Sequence, residues 1–283
     1  MDVCIFYFSG TGNTWWTGYR LVEELQIKGR TAECHSIEML DEEKTSKLIE
    51  TSEAVFFGYP VYGSYIPEPM KEFIDNIKEP SKTKKAGIFC TQMKASGDGA
   101  WFYHKVLEDK GFEIRWTFHF NLPNNISMKI SPVLYTIEKS KLDKIFNKCE
   151  IKIEKAANSI AMNAPSLTGN GFIGFLMGLM QRPFFKHYMK RPFKSPYKVD
   201  PDKCVNCMRC IQICPEGNIK LVDGKIKYGD NCAMCMRCYN YCPKTAISAF
   251  GFAHNDKKKP YRGPEGFDPA LITKRKDLMD FIE

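Results

Sequence analysis

Cys204-Val-Asn-Cys207-Met-Arg-Cys210-Ile-Gln-Ile-Cys214-Pro215 and Cys232-Ala-Met-Cys235-Met-Arg-Cys238-Tyr-Asn-Tyr-Cys242-Pro243 are two copies of one pattern, C-x-x-C-x-x-C-x-x-x-C-P, offset by 28 residues. Together they hold eight of the chain's 12 cysteines. The duplication runs past the thiols: Met208-Arg209 recurs as Met236-Arg237, and Ile219 recurs as Ile247.

Two-residue gaps let three successive thiolates fold around one corner of an iron-sulfur cubane, while the three-residue gap sends the fourth cysteine toward a second cluster. This spacing assigns Cys204, Cys207, Cys210 and Cys242 to one [4Fe-4S] cluster and Cys232, Cys235, Cys238 and Cys214 to the other. Zinc instead takes separated C-x-x-C pairs that close one tetrahedral site, and unbroken triplets followed by Cys-Pro do not suit it. The stretch 197–250 resembles a bacterial-type two-cluster ferredoxin. Within it, Ile219 to Tyr228 reads as a hairpin about Asp223-Gly224, a dipeptide suited to the positive φ of a tight turn. A module this short buries little apolar surface, so its clusters are expected to hold it together and iron removal to unfold it.

At the other end, Asp2 to Phe8 is a nearly continuous apolar run, as expected of a central parallel strand covered on both faces. It ends in Ser9-Gly10-Thr11-Gly12-Asn13-Thr14, and a helix follows with Trp15, Tyr19, Val22 and Leu25 along one stripe. Strand, glycine-bearing loop and helix N-terminus make an anion site. A dinucleotide fingerprint needs a third glycine where Trp15 stands. The loop instead resembles the FMN phosphate loop of flavodoxins, Ser/Thr-Gly-Thr-Gly-Asn-Thr.

Further strands are expected at Thr31 to Ser36, Ala54 to Gly58, Gly87 to Thr91 and Phe112 to Phe120. Helices are expected from Pro67, with Met70, Phe73, Ile74 and Ile77 on one face, from Trp101, and over Leu142 to Ile160. The order predicts an α/β flavodoxin-like doubly wound parallel sheet over residues 1–162, with a small α+β two-cluster ferredoxin domain after it. The ligand loops lie beyond the carboxyl ends of the strands: Ser9 to Thr14, then Pro60-Val61-Tyr62-Gly63-Ser64, then Gly97-Asp98-Gly99. The resemblance implies that these loops bind FMN, that Tyr62 is the inner ring contact, and that the Gly63-Ser64 peptide reorients on reduction. Glycine there permits the positive φ such a flip requires. The outer aromatic platform of the family aligns with Ser96, so one flavin face is expected to stay open to the ferredoxin domain, a partner or Trp101.

Residues 1–150 carry a net charge of −2, while the remainder carries +10. A basic half invites a nucleic-acid reading, but no binding module accompanies it. Two oxidised cubanes with their thiolates bring about −4 and a flavin phosphate about −2, lowering the formal +8 to roughly +2.

Residues 163–196 match neither domain. Gly171 to Met180 is an apolar run too short to span a bilayer, and Arg182, Lys186, Lys190, Arg191, Lys194 and Lys198 follow. Packing of this linker between the domains is the expectation, and contact with an anionic membrane surface is the alternative. The tail, 251–283, has a candidate short helix near Leu271 to Phe281 and no readable role.

Cys4, Cys34, Cys90 and Cys149 read as small buried hydrophobes. The five histidines, His35, His104, His119, His187 and His254, show no ligand spacing, and no catalytic residues are identified. The start of the chain, already strand-like at Val3, shows no basic leader. With eight cysteines committed to clusters, a reducing cytoplasm is expected.

Taken whole, the chain resembles the flavodoxin-ferredoxin fusion proteins of anaerobes. That implies electron transfer between FMN, two [4Fe-4S] clusters and redox partner proteins. The alternative is an FMN-dependent reductase of a quinone or nitro compound fed through the clusters.

Overall fold

β1 (Val3–Tyr7) is buried along its whole length, because it is flanked by parallel strands on both sides and covered by helices on both faces. The computed structural model of the protein describes residues 1–126, 139–185, 192, 194–254, 260–274 and 278–282. β1 pairs in parallel with β2 (Ala32–Ser36), where Ile5 faces Cys34, and with β3 (Ala54–Pro60), where Ile5 faces Phe56. β4 (Lys84–Gln92), β5 (Phe112–Asn121) and a two-residue β6 (Ser166–Leu167) extend the sheet in the order β2-β1-β3-β4-β5-β6. The chain winds outward from β1 in one direction to β2 and then in the other to β3, which opens the crevice between β1 and β3 at the carboxyl edge.

Alternation along the strands divides the core in two. Phe6, Val55, Phe57 and Ile88 face α2 (Glu42–Thr51), α3 (Glu68–Asn76) and α4 (His104–Asp109) through Ile49, Met70, Ile74 and Leu107. Val3, Ile5, Phe56 and Phe89 face α1 (Asn13–Ile27) and α5 (Lys139–Ala161) through Leu21, Leu25, Cys149 and Ile153. The expected strands are all present, each within a few residues of its expected ends. The helix expected from Trp101 begins only at His104, since residues 97–103 form successive turns.

α6 (Phe172–Phe185) leads toward the ferredoxin region. There β7 (Tyr197–Val199) pairs antiparallel with β10 (Ile247–Ala249), and β8 (Ile219–Val222) forms a hairpin with β9 (Lys225–Tyr228). The hairpin turns at Asp223 and Gly224, with φ of 49° and 69°. Each cysteine repeat contributes one short helix, α7 (Arg209–Gln212) and α8 (Arg237–Tyr241), entered through a methionine in the left-handed region: Met208 at φ 56° and Met236 at φ 64°. Of the tail helix expected near Leu271 to Phe281, the described residues form 3₁₀ turns at Pro269–Leu271 and Leu278–Phe281, and 275–277 lie outside them.

Candidate electron-transfer site

The structure brings the eight thiols together in the crossed arrangement. Cys204, Cys207, Cys210 and Cys242 line one apolar cavity with Val199, Ile226 and Ile247. Burial first, then the neighbouring thiols Cys207, Cys242 and Cys204, push Cys210 up to about 12. In the other group burial, then Cys235, Cys232 and Cys214, hold Cys238 well above the ordinary thiol value. The fourth cysteine of each repeat has thus left its own triplet for the other. Among the described residues no three His, Cys, Asp or Glu side chains converge on a point that would hold a single metal ion. A larger object with its own positive charge suits these thiol groups, since coordination keeps such thiols deprotonated.

Two further observations fit clusters. The hydroxyl of Tyr62 is buried without a hydrogen-bond partner, a condition that costs about 1–3 kcal/mol, and that of Tyr228 is buried with a cluster thiol as its partner. Tyr228 stands beside Cys238 and Cys210, one thiol of each group, and Tyr62 is nearest in charge to Cys235. Sulfur is the acceptor that the Tyr228 hydroxyl meets and the kind that the Tyr62 hydroxyl lacks.

At the carboxyl edge of β1, Ser9 Oγ accepts from the N–H groups of Gly12 and Trp15, each at 3.2 Å, shaping the loop. Thr14 Oγ1 meets Thr91 Oγ1 at 2.9 Å. Thr11 Oγ1 accepts from the Asn125 amide at 3.1 Å. Asn13 donates to Pro123 O at 2.8 Å and accepts from the Tyr261 hydroxyl at 2.6 Å. Among the described residues no acceptor faces the N–H groups of Gly10, Thr11, Asn13 and Thr14, although Thr11 and Thr14 are buried. Four N–H donors left without an acceptor at a helix N-terminus fit a phosphate. The tail roofs this loop: the Phe267 ring packs on Gly12, and Gly263 lies on the Thr11 carbonyl.

The second loop closes on itself, Tyr62 N–H donating to Tyr65 O at 3.1 Å and Tyr65 N–H to Tyr62 O at 3.2 Å. Its tip carries Gly63 and Ser64 at φ 59° and 64°, with Pro60 and Val61 at its base. The third loop, Gly97-Asp98-Gly99, is tied down by Tyr59, whose hydroxyl donates to Gly99 O at 2.9 Å.

Both loops are covered by α6, which reaches Gly63 and Gly97. Phe185 lies against Gly63. Ser64 Oγ donates to Gln181 Oε1 at 2.9 Å. Asp98, expected among the cofactor contacts, commits its carboxylate to Arg182, which donates to both oxygens at 2.6 and 2.9 Å. Gly178 is what allows this approach, since a Cβ there would fall 1.9 Å from Asp98 Oδ1. The inward stripe of α6 is therefore Gly174, Gly178, Gln181 and Arg182, and its large apolar side chains do not pack between the domains as expected. Of the basic residues after it, Lys186, Lys190 and Arg191 lie outside the described residues.

Sequence reasoning missed the joint between the two halves. Cys235 O stands 2.5 Å from where a Cβ on Gly10 would be, so the second cysteine repeat rests on the phosphate loop. Arg237, fully buried, donates to Ser9 O at 2.6 Å and Gly10 O at 3.1 Å and pairs with Glu38 at 2.5 and 2.9 Å. The Thr273 hydroxyl accepts from Arg237 at 2.6 Å and donates to Glu38 at 2.9 Å. One guanidinium thus joins the flavin loop, the second repeat and the tail. The signal available in the sequence was the Met-Arg pair kept in both repeats although neither residue is a thiol.

Comparison with known proteins agrees with this division. The flavodoxin domain family matches residues 4–117, and 4Fe-4S binding domain families match residues 197–220 and 229–251. No curated protein matches the chain. Similar solved structures include a flavodoxin from the domain Archaea, 13% identical, with 56% of this chain and 99% of that chain covered and a TM-score of 0.37. Reduced Megasphaera elsdenii flavodoxin is 22% identical, with 55% and 98% covered and a TM-score of 0.39. Rubredoxin oxygen:oxidoreductase from Desulfovibrio gigas is 18% identical, with 56% of this chain but only 36% of that chain covered and a TM-score of 0.39. The flavodoxin domain implies FMN, and the paired 4Fe-4S domains imply two [4Fe-4S] clusters. The chain carries a flavodoxin domain followed by two ferredoxin-type 4Fe-4S domains, the arrangement of a flavodoxin-ferredoxin fusion.

Proposed function

We propose that the protein is an electron carrier in which FMN and two [4Fe-4S] clusters exchange electrons with each other and with redox partner proteins. The observation that carries this reading is the contact of Cys235 and Arg237 with Ser9 and Gly10. When bound, the flavin exchanges one or two electrons and each cluster one. Cys214, Cys232, Cys235 and Cys238 hold the cluster next to the flavin loop. Cys204, Cys207, Cys210 and Cys242 hold the outer one, where Cys207 is exposed and Val205 is 57% exposed, an outlet suited to a partner. Gly10, Thr11, Asn13 and Thr14 hold the phosphate through their N–H groups, while Tyr62, Gly63, Gly97 and Gly99 border the ring. Arg237 fixes the two sites together and excludes water between them.

Cover by α6 over the ring-side loops supports a carrier over a reductase of a free quinone or nitro compound, which would need an open pocket there. An anaerobic reductive titration followed by absorption and EPR tests the reading. About eight iron atoms and one FMN per chain, with the flavin bleaching as clusters become reduced, are expected. Flavin that stays oxidised beside fully reduced clusters would refute it.

A further inference from the structure

The tail closes a loop that belongs to the other end of the chain. Ser9 to Thr14 contains no lysine or arginine, so a phosphate there is held by N–H groups and hydroxyls, and its affinity depends on how firmly those groups keep their positions. Each residue from Gly10 to Thr14 is backed by a residue from elsewhere. Cys235 O rests on Gly10, and Thr91 meets the Thr14 hydroxyl, but the middle of the loop is held by the tail. Gly263 lies on the Thr11 carbonyl, and a Cβ on Gly12 would fall 2.6 Å from the Phe267 ring and 2.8 Å from Pro264. The Tyr261 hydroxyl donates to Asn13 Oδ1 at 2.6 Å, while the Asn13 amide donates to Pro123 O at 2.8 Å, so both ends of that side chain are fixed.

The tail can hold the loop because it is itself anchored. Tyr261 and Phe267 are buried. Phe267 packs between Trp15 of α1 and Tyr241 of α8, at ring-centre distances of 5.3 and 6.4 Å, so both halves of the protein grip it at once. Beyond it, Asp268 pairs with Arg209, Ile272 O accepts from the Ser36 hydroxyl at 2.8 Å, and the Thr273 hydroxyl bridges Arg237 and Glu38. The ring-side glycines, Gly63 and Gly97, meet α6 instead, which leaves the tail to act on the phosphate end of the site. We propose that residues 260–274 form the outer wall of the flavin phosphate site. Tyr261 and Phe267 are its positioning residues: they keep the loop from Thr11 to Asn13 in place and shield its N–H groups from water, where hydrogen bonds to an anion are stronger. The consequence is selection of the phosphorylated flavin over the unphosphorylated one. This inference rests on the reading that the loop binds FMN.

Fluorescence titration of the full-length, cluster-loaded protein, freed of flavin, with FMN and with riboflavin, which lacks the phosphate, tests it. Wild type is expected to bind FMN far more tightly than riboflavin. Phe267→Ala should weaken FMN at least about tenfold. Tyr261→Phe, which removes one hydrogen bond and keeps the ring, should weaken it about fivefold. Riboflavin affinity, iron content and the EPR signals of both clusters should not change in either variant, and Leu271→Ala, at an exposed tail position, should alter nothing. Should Phe267→Ala lose its iron, Tyr261→Phe alone decides. FMN bound equally by wild type and the variants would overturn this inference and leave the flavin reading standing. Equal losses for FMN and riboflavin would also overturn it, because the tail would then act on the ring or on the domain as a whole. Wild-type protein that takes up no FMN would overturn the flavin reading and this inference with it.

Discussion

The two cysteine repeats have the same spacing and the same Met-Arg insert, yet they occupy opposite situations. Arg209 of the first repeat, with a quarter of its side chain in water, pairs with Asp268 of the tail. Arg237 of the second is sealed from solvent and pairs with Glu38 of the flavodoxin domain. Cys207 is exposed, while its counterpart Cys235 is buried against Gly10. One covalent pattern therefore serves two tasks: the local spacing builds a cluster cage, and the surroundings decide whether that cage faces the flavin or the exterior.

Ligand replacement should break this comparison most severely. If the fourth cysteines are exchanged between repeats, Cys242→Ser, a change in the second repeat, empties the outer cluster. Iron should fall from about eight toward about four per chain, with the inner cluster's EPR signal retained. Loss of the inner signal instead would mean that each repeat closes its own cluster.

The arginines come next. Arg237→Ala leaves Glu38 buried without its partner, a change that costs about 3–5 kcal/mol, and urea denaturation of the cofactor-loaded protein should register it. Arg209→Ala, at a more exposed pair, should cost about 1 kcal/mol or less. Equal losses would erase the distinction between the repeats.

A subtler contrast lies in the buried hydroxyls of Tyr62 and Tyr228. Tyr62→Phe should shift only the inner cluster to a more negative potential, because one donor to its sulfurs is lost. Tyr228→Phe, between Cys238 and Cys210, should shift both clusters. EPR-monitored potentiometry separates the two outcomes.

The smallest effect is acid sensitivity on the second-repeat side. His254 is buried and stacked on Tyr239 at 3.6 Å, and its Nε2 lies 3.0 Å from Tyr239 O. Burial, and to a lesser degree the Arg262 charge, lower its pKa from 6.5 to about 4. Between those values the unfolded chain binds the extra proton, so stability is full above pH 6.5 and declines as pH falls toward 4. His254→Gln should flatten that limb of the pH-stability curve. An unchanged curve would show that His254 is not a contributor.

The cysteine cages and the sheet were legible in the sequence because their information is local: thiol spacing, an apolar run, a glycine loop before a helix. The expected crossing of Cys214 and Cys242 rests on the same local spacing. The joint at Arg237 was not, since Glu38, Ser9 and Thr273 meet it from positions far along the chain and no periodicity encodes such a meeting. The tail was unreadable because its role is cover, supplied by scattered residues such as Phe267 on Gly12. α6 was misjudged for a different reason. An apolar run suggests burial, and only the small residues Gly174 and Gly178, one turn apart, hinted that the close-packed face is the other one.

The central claim is that the second repeat and the flavin loop form one electron-transfer unit within a single chain. Its most direct test is the rate of flavin bleaching after anaerobic flash reduction of the clusters, measured over a tenfold range of protein concentration. A single first-order rate that does not change with dilution is predicted. A rate that falls in proportion to concentration would show that electrons pass between molecules rather than across the Cys235–Gly10 contact, and would contradict the account.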